Sequence, residues 1–386
     1  MTLAASDATR HLKALLACRS VTPEDGGAQD YIARVLEKIG FQVERLTFSA
    51  PDTADIHNLF ATIGSGVPHL AFVGHTDVVP AGDVTLWKRP PFDGEIADGE
   101  MVGRGAVDMK GGIAAFLTAA AAFVDAGNRK GTLSLLITGD EEGPAVNGTV
   151  KLVEWARDKG YRFDAVLVGE PTSRRILGDT IKIGRRGSLS GTIVVAGAQG
   201  HVAYPQLADN PIPMLVRILD RLTRIEIDKG GTDFEPSSLV VTAIETDNPA
   251  FNVIPGEARA RFNIRFNDFW SITGLKALLR REIAEVGDCE IVFEPGASDW
   301  FLTQSHTLIA PLTKAIESVT GIRPQTSTGG GTSDARFFKD ICPVIEFGLV
   351  GATMHQIDER VPLADLGVLS DIYRAFLDRY FAAPPR

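Results

Sequence analysis

The stretch Leu133 to Glu142, LSLLITGDEE, runs an apolar strand-like segment straight into an acidic pair, Glu141 and Glu142. The pattern recurs along the chain. Leu70 to Gly74 ends at His75 and Asp77, Ala165 to Gly169 ends at Glu170, and GRGAVDMKGG (103–112) sets Asp108 between glycine-rich turns. In an open parallel α/β sheet the ligand crevice lies outside the carboxyl ends of the strands, so groups delivered there converge although they are far apart in sequence. A lone strand-end Asp or Glu is more often a helix cap or a solvated loop residue. Several independent arrivals of imidazole and carboxylate point instead to one shared site. With no cysteine among them, such a site suits a hard or borderline metal, zinc first and manganese or cobalt next.

Outward from that stretch, residues 1 to about 183 alternate strand candidates (Leu70 to Gly74, Leu133 to Thr138, Ala165 to Gly169) with helical stretches (Ala5 to Cys18, Ala28 to Ile39, Ile113 to Ala126, Thr149 to Lys159). Such alternation predicts a largely parallel sheet covered by helices on both faces, an α/β fold. Near Gly184 the texture changes. Strands at Ser188 to Gly197, Ser238 to Thr246, Ala258 to Phe266 and Glu290 to Glu294, with helices at Pro211 to Ile225 and Ile272 to Val286, spell βαββαβ, a complete α+β unit of ferredoxin-like order. After Pro295 the first texture resumes, with a helix near Leu308 to Val319, a strand at Pro343 to Phe347 and a final helix from Leu363 to Phe381. The expected organisation is therefore a discontinuous domain, 1–183 and 298–386, interrupted by an inserted domain, 184–297.

Composition excludes several classes. The chain has 386 residues, 44% of them hydrophobic, enough for a large core. Its 39 basic and 49 acidic residues give a net charge of -10, with no basic run of the kind a phosphate backbone needs, so no nucleic-acid partner is expected. The apolar run Ile113 to Val124 falls short of the roughly 20 residues that span a bilayer and reads as a buried helix. Arg10, Lys13 and Arg19 interrupt the N-terminal pattern, which lacks a signal-peptide core. Cys18, Cys289 and Cys342 are widely spaced and odd in number, so no disulfide framework is expected and the cytoplasm is the natural compartment. A dinucleotide-binding reading fails for want of G-x-G-x-x-G after the first strand.

Taken together, VGHTDVVP (73–80), GRGAVDMKGG (103–112), TGDEEGPAVNGT (138–149), GEP (169–171), GAQGHVAYP (197–205) and ATMHQIDE (352–359) resemble the M20 metallopeptidase family of co-catalytic zinc hydrolases. The resemblance spans essentially the whole chain. It implies a zinc-exopeptidase-like catalytic domain holding two zinc ions, with cobalt as a substitute, and an inserted domain that dimerises. Motif by motif, Asp108 would bridge the ions, His75 and Glu170 would complete one site, and Glu142 and His355 the other. Such a pair, about 3.5 to 4 Å apart, lowers the pKa of bound water towards about 7 and polarises an amide carbonyl.

The resemblance further implies that Glu141 is a general acid/base rather than a ligand, passing a proton from water to the leaving amine. Adjacent residues of an extended segment point to opposite sides, which would separate the roles of Glu141 and Glu142. Asp77, two residues after His75, would accept the second imidazole N–H and orient the ring; its alternative is a turn or cap residue. His201 would cross a homodimer interface and hydrogen-bond the developing oxyanion. His11, His57, His69 and His306 lie outside the motifs and are expected to be structural or at the surface.

Within the family, GRRGSLSG (184–191) and STGGGTSDARFF (327–338) look most like the members that cleave N-succinyl-LL-2,6-diaminopimelate to succinate and LL-2,6-diaminopimelate, a lysine and peptidoglycan precursor. A small dicarboxylate amide calls for fixed positive charge and neutral donors, and the resemblance implies Arg185, Ser188, Asn252, Arg265, Gly331 and Thr332. The alternative for Arg185 and Arg265 is a strand-edge salt bridge. The run Gly329 to Gly331 lacks a P-loop lysine and reads as a nest for a carboxylate. Many of those members carry asparagines where this chain has Gly351 and Asp358, which places one substrate contact in question. The rivals are other amidohydrolases of the family, such as an acetylornithine deacetylase, an aminoacylase or a glutamate carboxypeptidase. A metal-stabilised binding protein is disfavoured by the free carboxylate of Glu141.

Overall fold

The computed structural model describes residues 3–127 and 130–382, which fall into two compact units. The first comprises Met1–Ile183, Leu302–Ser327 and Ser333–Arg386, and the second Gly184–Phe301 with Thr328–Thr332. Residues 298–301 and 328–332, expected in the discontinuous domain, group with the inserted unit.

The first unit is built on an eight-stranded sheet in the order Gln42–Phe48, Ile56–Ser65, Gly131–Thr138, His69–His75, Ala165–Val168, Val344–Glu346, Thr180–Lys182, Gln325–Ser327. The central strands, from Gly131–Thr138 to Val344–Glu346, are mutually parallel. They are buried throughout or nearly so, and such continuously apolar strands are what a sheet covered on both faces requires. The strands Gln42–Phe48 and Ile56–Ser65 add an antiparallel flank. The run Ile113 to Val124 lies within the helix Lys110–Asp125, nearly all of whose residues are buried, as a helix apolar on all sides must be. On it Phe116 stacks on Phe72 of the strand His69–His75 with ring centroids 3.8 Å apart, and Tyr373 of the helix Leu363–Ala382 meets both edge-on.

In the second unit the strands Ser238–Glu245, Glu257–Phe266, Gly187–Ala196 and Glu290–Phe293 form an antiparallel sheet in that order. The first strand in sequence thus lies between the third and the fourth. Leu189, Ile193, Val195, Phe262, Ile264 and Phe266 pack with Leu215, Ile218, Leu275 and Leu279 of the helices Ile212–Thr223 and Ile272–Ala284. The strand Gly187–Ala196 alternates buried and half-exposed residues along nearly its whole length, because helices cover only one face of this sheet.

Candidate metal centre

The carboxyl ends of the central strands carry the chemistry of the first unit. His75 is the last residue of its strand and stands in register with Thr138, so the loop holding Glu141 and Glu142 begins beside it. Glu170 follows the strand Ala165–Val168 by two residues. Asp108 lies on the turn that leads into the helix Lys110–Asp125. That helix approaches the strand end closely: a Cβ added to Gly112 would sit 2.5 Å from the Gly169 carbonyl oxygen, so only glycine fits beside Glu170. His355 follows the turn Gly351–Thr353, in the loop after Val344–Glu346, with a positive φ of 62°.

These groups meet. His75 Nε2 is 3.2 Å from Asp108 Oδ1 and 3.7 Å from Glu170 Oε1. His355 Nε2 is 3.3 Å from Asp108 Oδ2 and 2.8 Å from Glu142 Oε1. The two oxygens of one carboxylate therefore face two different imidazoles, each beside its own glutamate. Donor atoms of His75, Asp108 and Glu170, of Asp108, Glu142 and His355, and of His75, Glu141 and Glu142 each lie within 4.8 Å of one another.

The cluster carries more negative charge than its neighbours balance. Among the described residues, the ion-pair partners of Asp108, Glu142 and Glu170 are the two imidazoles alone. Burial pushes the Glu141 carboxyl up to about 8, opposed by the charge of His75 and assisted by Asp334 and Glu142. Burial also drives Glu170 well above the carboxylate range, and hydrogen bonds to Asp108 and Glu142 hold His355 up at about 10. Groups that bind protons this tightly are placed where divalent cations would supply the missing charge. Imidazole and carboxylate donors fit zinc and its borderline neighbours.

Asp77 departs from expectation in how it acts. His75 Nδ1 lies 2.8 Å from the backbone oxygen of Asp77 and 3.6 Å from its carboxylate, so the backbone carbonyl is the nearer acceptor for the ring. The carboxylate instead accepts from the backbone N–H of Glu141 at 3.2 Å, from that of Glu142 at 3.0 Å and from the Thr22 hydroxyl at 2.7 Å. The acidic pair is not an extended segment either. Residues 141–143 form a bend, and both amides point at Asp77. Sequence reasoning could not reach this, because alternation assumes a strand that has already ended at Thr138. It also passed over Arg104 and Glu359, whose only signal is a charged residue within each of two motifs.

The remaining predicted residues belong to the second unit. Arg185 donates to the Gly331 carbonyl at 3.0 Å, and Ser188 accepts from Asn263 at 3.0 Å while standing in register with Arg265. The alternative of a strand-edge salt bridge is not seen at Arg265, which makes no ion pair among the described residues and has a buried Nη1 without a hydrogen-bond partner. Burial, then the charges of Arg186 and Arg185, lower its pKa. Thr332 lies with Gly331 in the segment 328–332. His201 is exposed in a two-stranded pairing of Gly200–His201 with Val253–Ile254, next to Asn252, whose carbonyl accepts from Val202. His201 Nδ1 accepts from the Ala203 amide at 3.0 Å, which leaves Nε2 as the N–H donor of the neutral ring. Asp358 accepts from the Lys88 amide at 2.8 Å, so this departure serves a loop contact.

Comparison with known proteins locates the chain. Residues 71–379 match Peptidase family M20/M25/M40. A succinyl-diaminopimelate desuccinylase of Rhodopseudomonas palustris (strain BisA53) is 54% identical over 385 residues, covering 98% of this chain and 100% of the relative. Among solved structures, the M20 family metallo-carboxypeptidase Sso-CP2 from Sulfolobus solfataricus is similar with a TM-score of 0.82 at 19% identity, covering 98% of this chain and 100% of that one. The Bacillus subtilis YXEP protein, a dinuclear metal binding peptidase from the M20 family, has a TM-score of 0.71 at 16% identity, covering 99% and 100%.

Proposed function

This chain belongs to peptidase family M20/M25/M40, and on that premise we propose that it is a two-metal amide hydrolase that cleaves N-succinyl-LL-2,6-diaminopimelate to succinate and LL-2,6-diaminopimelate. The observation that carries the reading is Asp108, whose two oxygens face His75 and His355 separately. His75, Glu170 and Asp108 would hold one zinc ion, and Glu142, His355 and Asp108 the other. Bound there, the ions acidify water and polarise the scissile carbonyl. Glu141 would accept the water proton at its carboxylate and deliver it to the leaving amine, a role that its place beside His75 and Glu142 suits. Asp77 fixes the backbone from which Glu141 and Glu142 project.

The substrate class follows from the relatives' name and from the second unit's chemistry. Arg265, with an unpartnered buried Nη1, lies among the charges of Arg185 and Arg186 and would take a carboxylate. Ser188, Asn252, Gly331 and Thr332 would supply neutral donors. We read the protein as a homodimer joined through the inserted unit, with the Nε2–H of His201 donating to the oxyanion formed in the partner's site. No described helix is long and apolar enough to cross a membrane, and the unpaired cysteines fit a cytoplasmic enzyme. Purified zinc-loaded protein assayed side by side on N-succinyl-LL-2,6-diaminopimelate and N-acetylornithine tests the assignment. Preference for the succinyl substrate supports it, and preference for the acetyl substrate overturns it.

A further inference from the structure

One buried ion pair joins the loops that bear Asp108 and His355. Arg104 Nη1 lies 2.9 Å from Glu359 Oε2, with the side chains 3% and 0% exposed. The Glu359 carboxylate also accepts the backbone N–H groups of Gly105 at 3.0 Å, Val107 at 2.9 Å and Asp108 at 3.2 Å. Its own backbone carbonyl accepts from Gly103. Arg104 donates to the carbonyl oxygens of Gln356 at 3.1 Å, Pro80 at 3.4 Å and His355 at 3.5 Å, and its guanidinium lies 5.3 Å from the Trp87 ring centroid. One guanidinium thus touches the segment that follows His75 and the loop that carries His355, while its partner carboxylate grips the loop of Asp108.

A buried pair of this kind is a weak argument for stability, since desolvation offsets much of the attraction. Arg104 Nε is even left without a hydrogen-bond partner. The pair's effect is better sought in geometry, where the two halves of the metal centre differ. His75 ends a strand and Glu170 closely follows one, each strand held in register by its neighbours, and both residues are buried. His355 has a side chain 48% exposed and a backbone φ that non-glycine residues seldom adopt. The nearest strand register between His355 and Asp108 is the short antiparallel pairing of Arg360–Pro362 with Glu100–Val102, which ends five residues after His355 and six before Asp108. From there to the two ligand candidates the spacing is set by contacts between loops.

We infer that Arg104 and Glu359 are positioning residues that set the spacing of Asp108 against His355, and so govern the Glu142–His355 half of the metal centre more strongly than the His75–Glu170 half. The inference rests on the two-metal reading above. Neither residue touches a metal donor's side chain; they act through the backbones of Asp108 and His355.

The test is a metal titration of the metal-free full chain with Co²⁺ and with Zn²⁺ against a chromogenic chelator, recording Co²⁺ absorption alongside. Wild type binds two ions. Glu359→Gln and Arg104→Lys should each bind one ion as wild type does and the other about 10- to 100-fold more weakly, the usual result of losing a group that orients a metal ligand. Arg104→Met should lose more than Arg104→Lys, a graded rescue by charge. Arg104→Lys keeps a buried cation opposite Glu359 and carries the test if the neutral variants fail to fold. Equal weakening of both ions, or of neither, overturns the inference while leaving the two-metal reading intact. A wild type that binds a single ion removes both.

Discussion

Glu141 and Glu142 are chemically identical neighbours that differ in what each faces, and the proposed division of roles between them follows that difference. Glu142 lies 2.8 Å from His355, whereas Glu141 has no ion-pair partner among the described residues and has its carboxyl pushed up to about 8, chiefly by burial. Glu141→Gln should therefore keep metal content near two ions per chain while lowering kcat by about 10² to 10⁴, the usual worth of a general base; a variant with near-normal turnover removes the role. Asp77 makes a second case. Its carboxylate accepts three hydrogen bonds, two of them from the backbone of the acidic pair, and an amide in its place would present N–H to at least one donor. Asp77→Asn should cost kcat about 10-fold or more by misplacing Glu141, at nearly unchanged KM, since small displacements of a reacting group are expensive. Thr22→Val, which removes one of those donors, should cost about 1 kcal/mol of stability and little activity, separating positioning from folding. A Thr22→Val effect on kcat as large as that of Asp77→Asn would contradict the division.

At the scale of elements, what could be read in advance depended on burial. The strands Gly131–Thr138, His69–His75 and Ala165–Val168 are apolar almost end to end, and each ends at or just before a charged residue, so both their type and their delivery of His75, Glu141, Glu142 and Glu170 were legible. The strands Gln42–Phe48 and Ile56–Ser65 were not. The first, QVERLTF, is an exposed edge carrying charges, and the second interleaves His57 and Asn58 with apolar residues, so neither has the unbroken apolar run that marks a central strand. His355 lies on a loop rather than a strand end, and only the resemblance of ATMHQIDE to a known motif pointed to it. The βαββαβ unit was legible because its strands alternate and its helices keep an apolar stripe, the two periods that sequence shows most directly. The helix Lys110–Asp125 ties core to site, since near its middle Phe116 stacks on Phe72 and meets Tyr373 edge-on while Asp108 precedes its N-terminus. Phe116→Ala should lower unfolding free energy by about 3 to 5 kcal/mol, the range for a buried phenylalanine. The check is a denaturant midpoint that shifts without a change in slope; a loss below about 1 kcal/mol would mean the stack is not part of the core's stability.

On the scale of the molecule, the candidate residues are divided between the two units, with every donor of the candidate metal centre in the first and His201 in the second. The second unit also presents surface that a lone chain leaves costly. The edge strand Ser238–Glu245 exposes Val240 at 56% and Ile244 at 62%, and Phe251 nearby in sequence is fully exposed. An uncovered edge strand with apolar side chains invites pairing with another chain, and a second copy of the same unit is an occupant that would satisfy it. His201 fits service to a partner, because its Nδ1 is engaged by the Ala203 amide and its Nε2–H is free to donate. Removing an oxyanion donor typically costs about 10² to 10³ in turnover, so His201→Ala should be nearly inactive with its metals in place. Mixing His201→Ala chains with Glu141→Gln chains then discriminates between service within a chain and across an interface. If His201 serves the partner, each mixed dimer contains one site with both Glu141 and His201 intact, and activity should rise well above that of either parent, towards half the wild-type value per such dimer. If mixed dimers form, as measured by affinity tags on the two chains, and no activity returns, then His201 acts within its own chain or takes no part in the reaction.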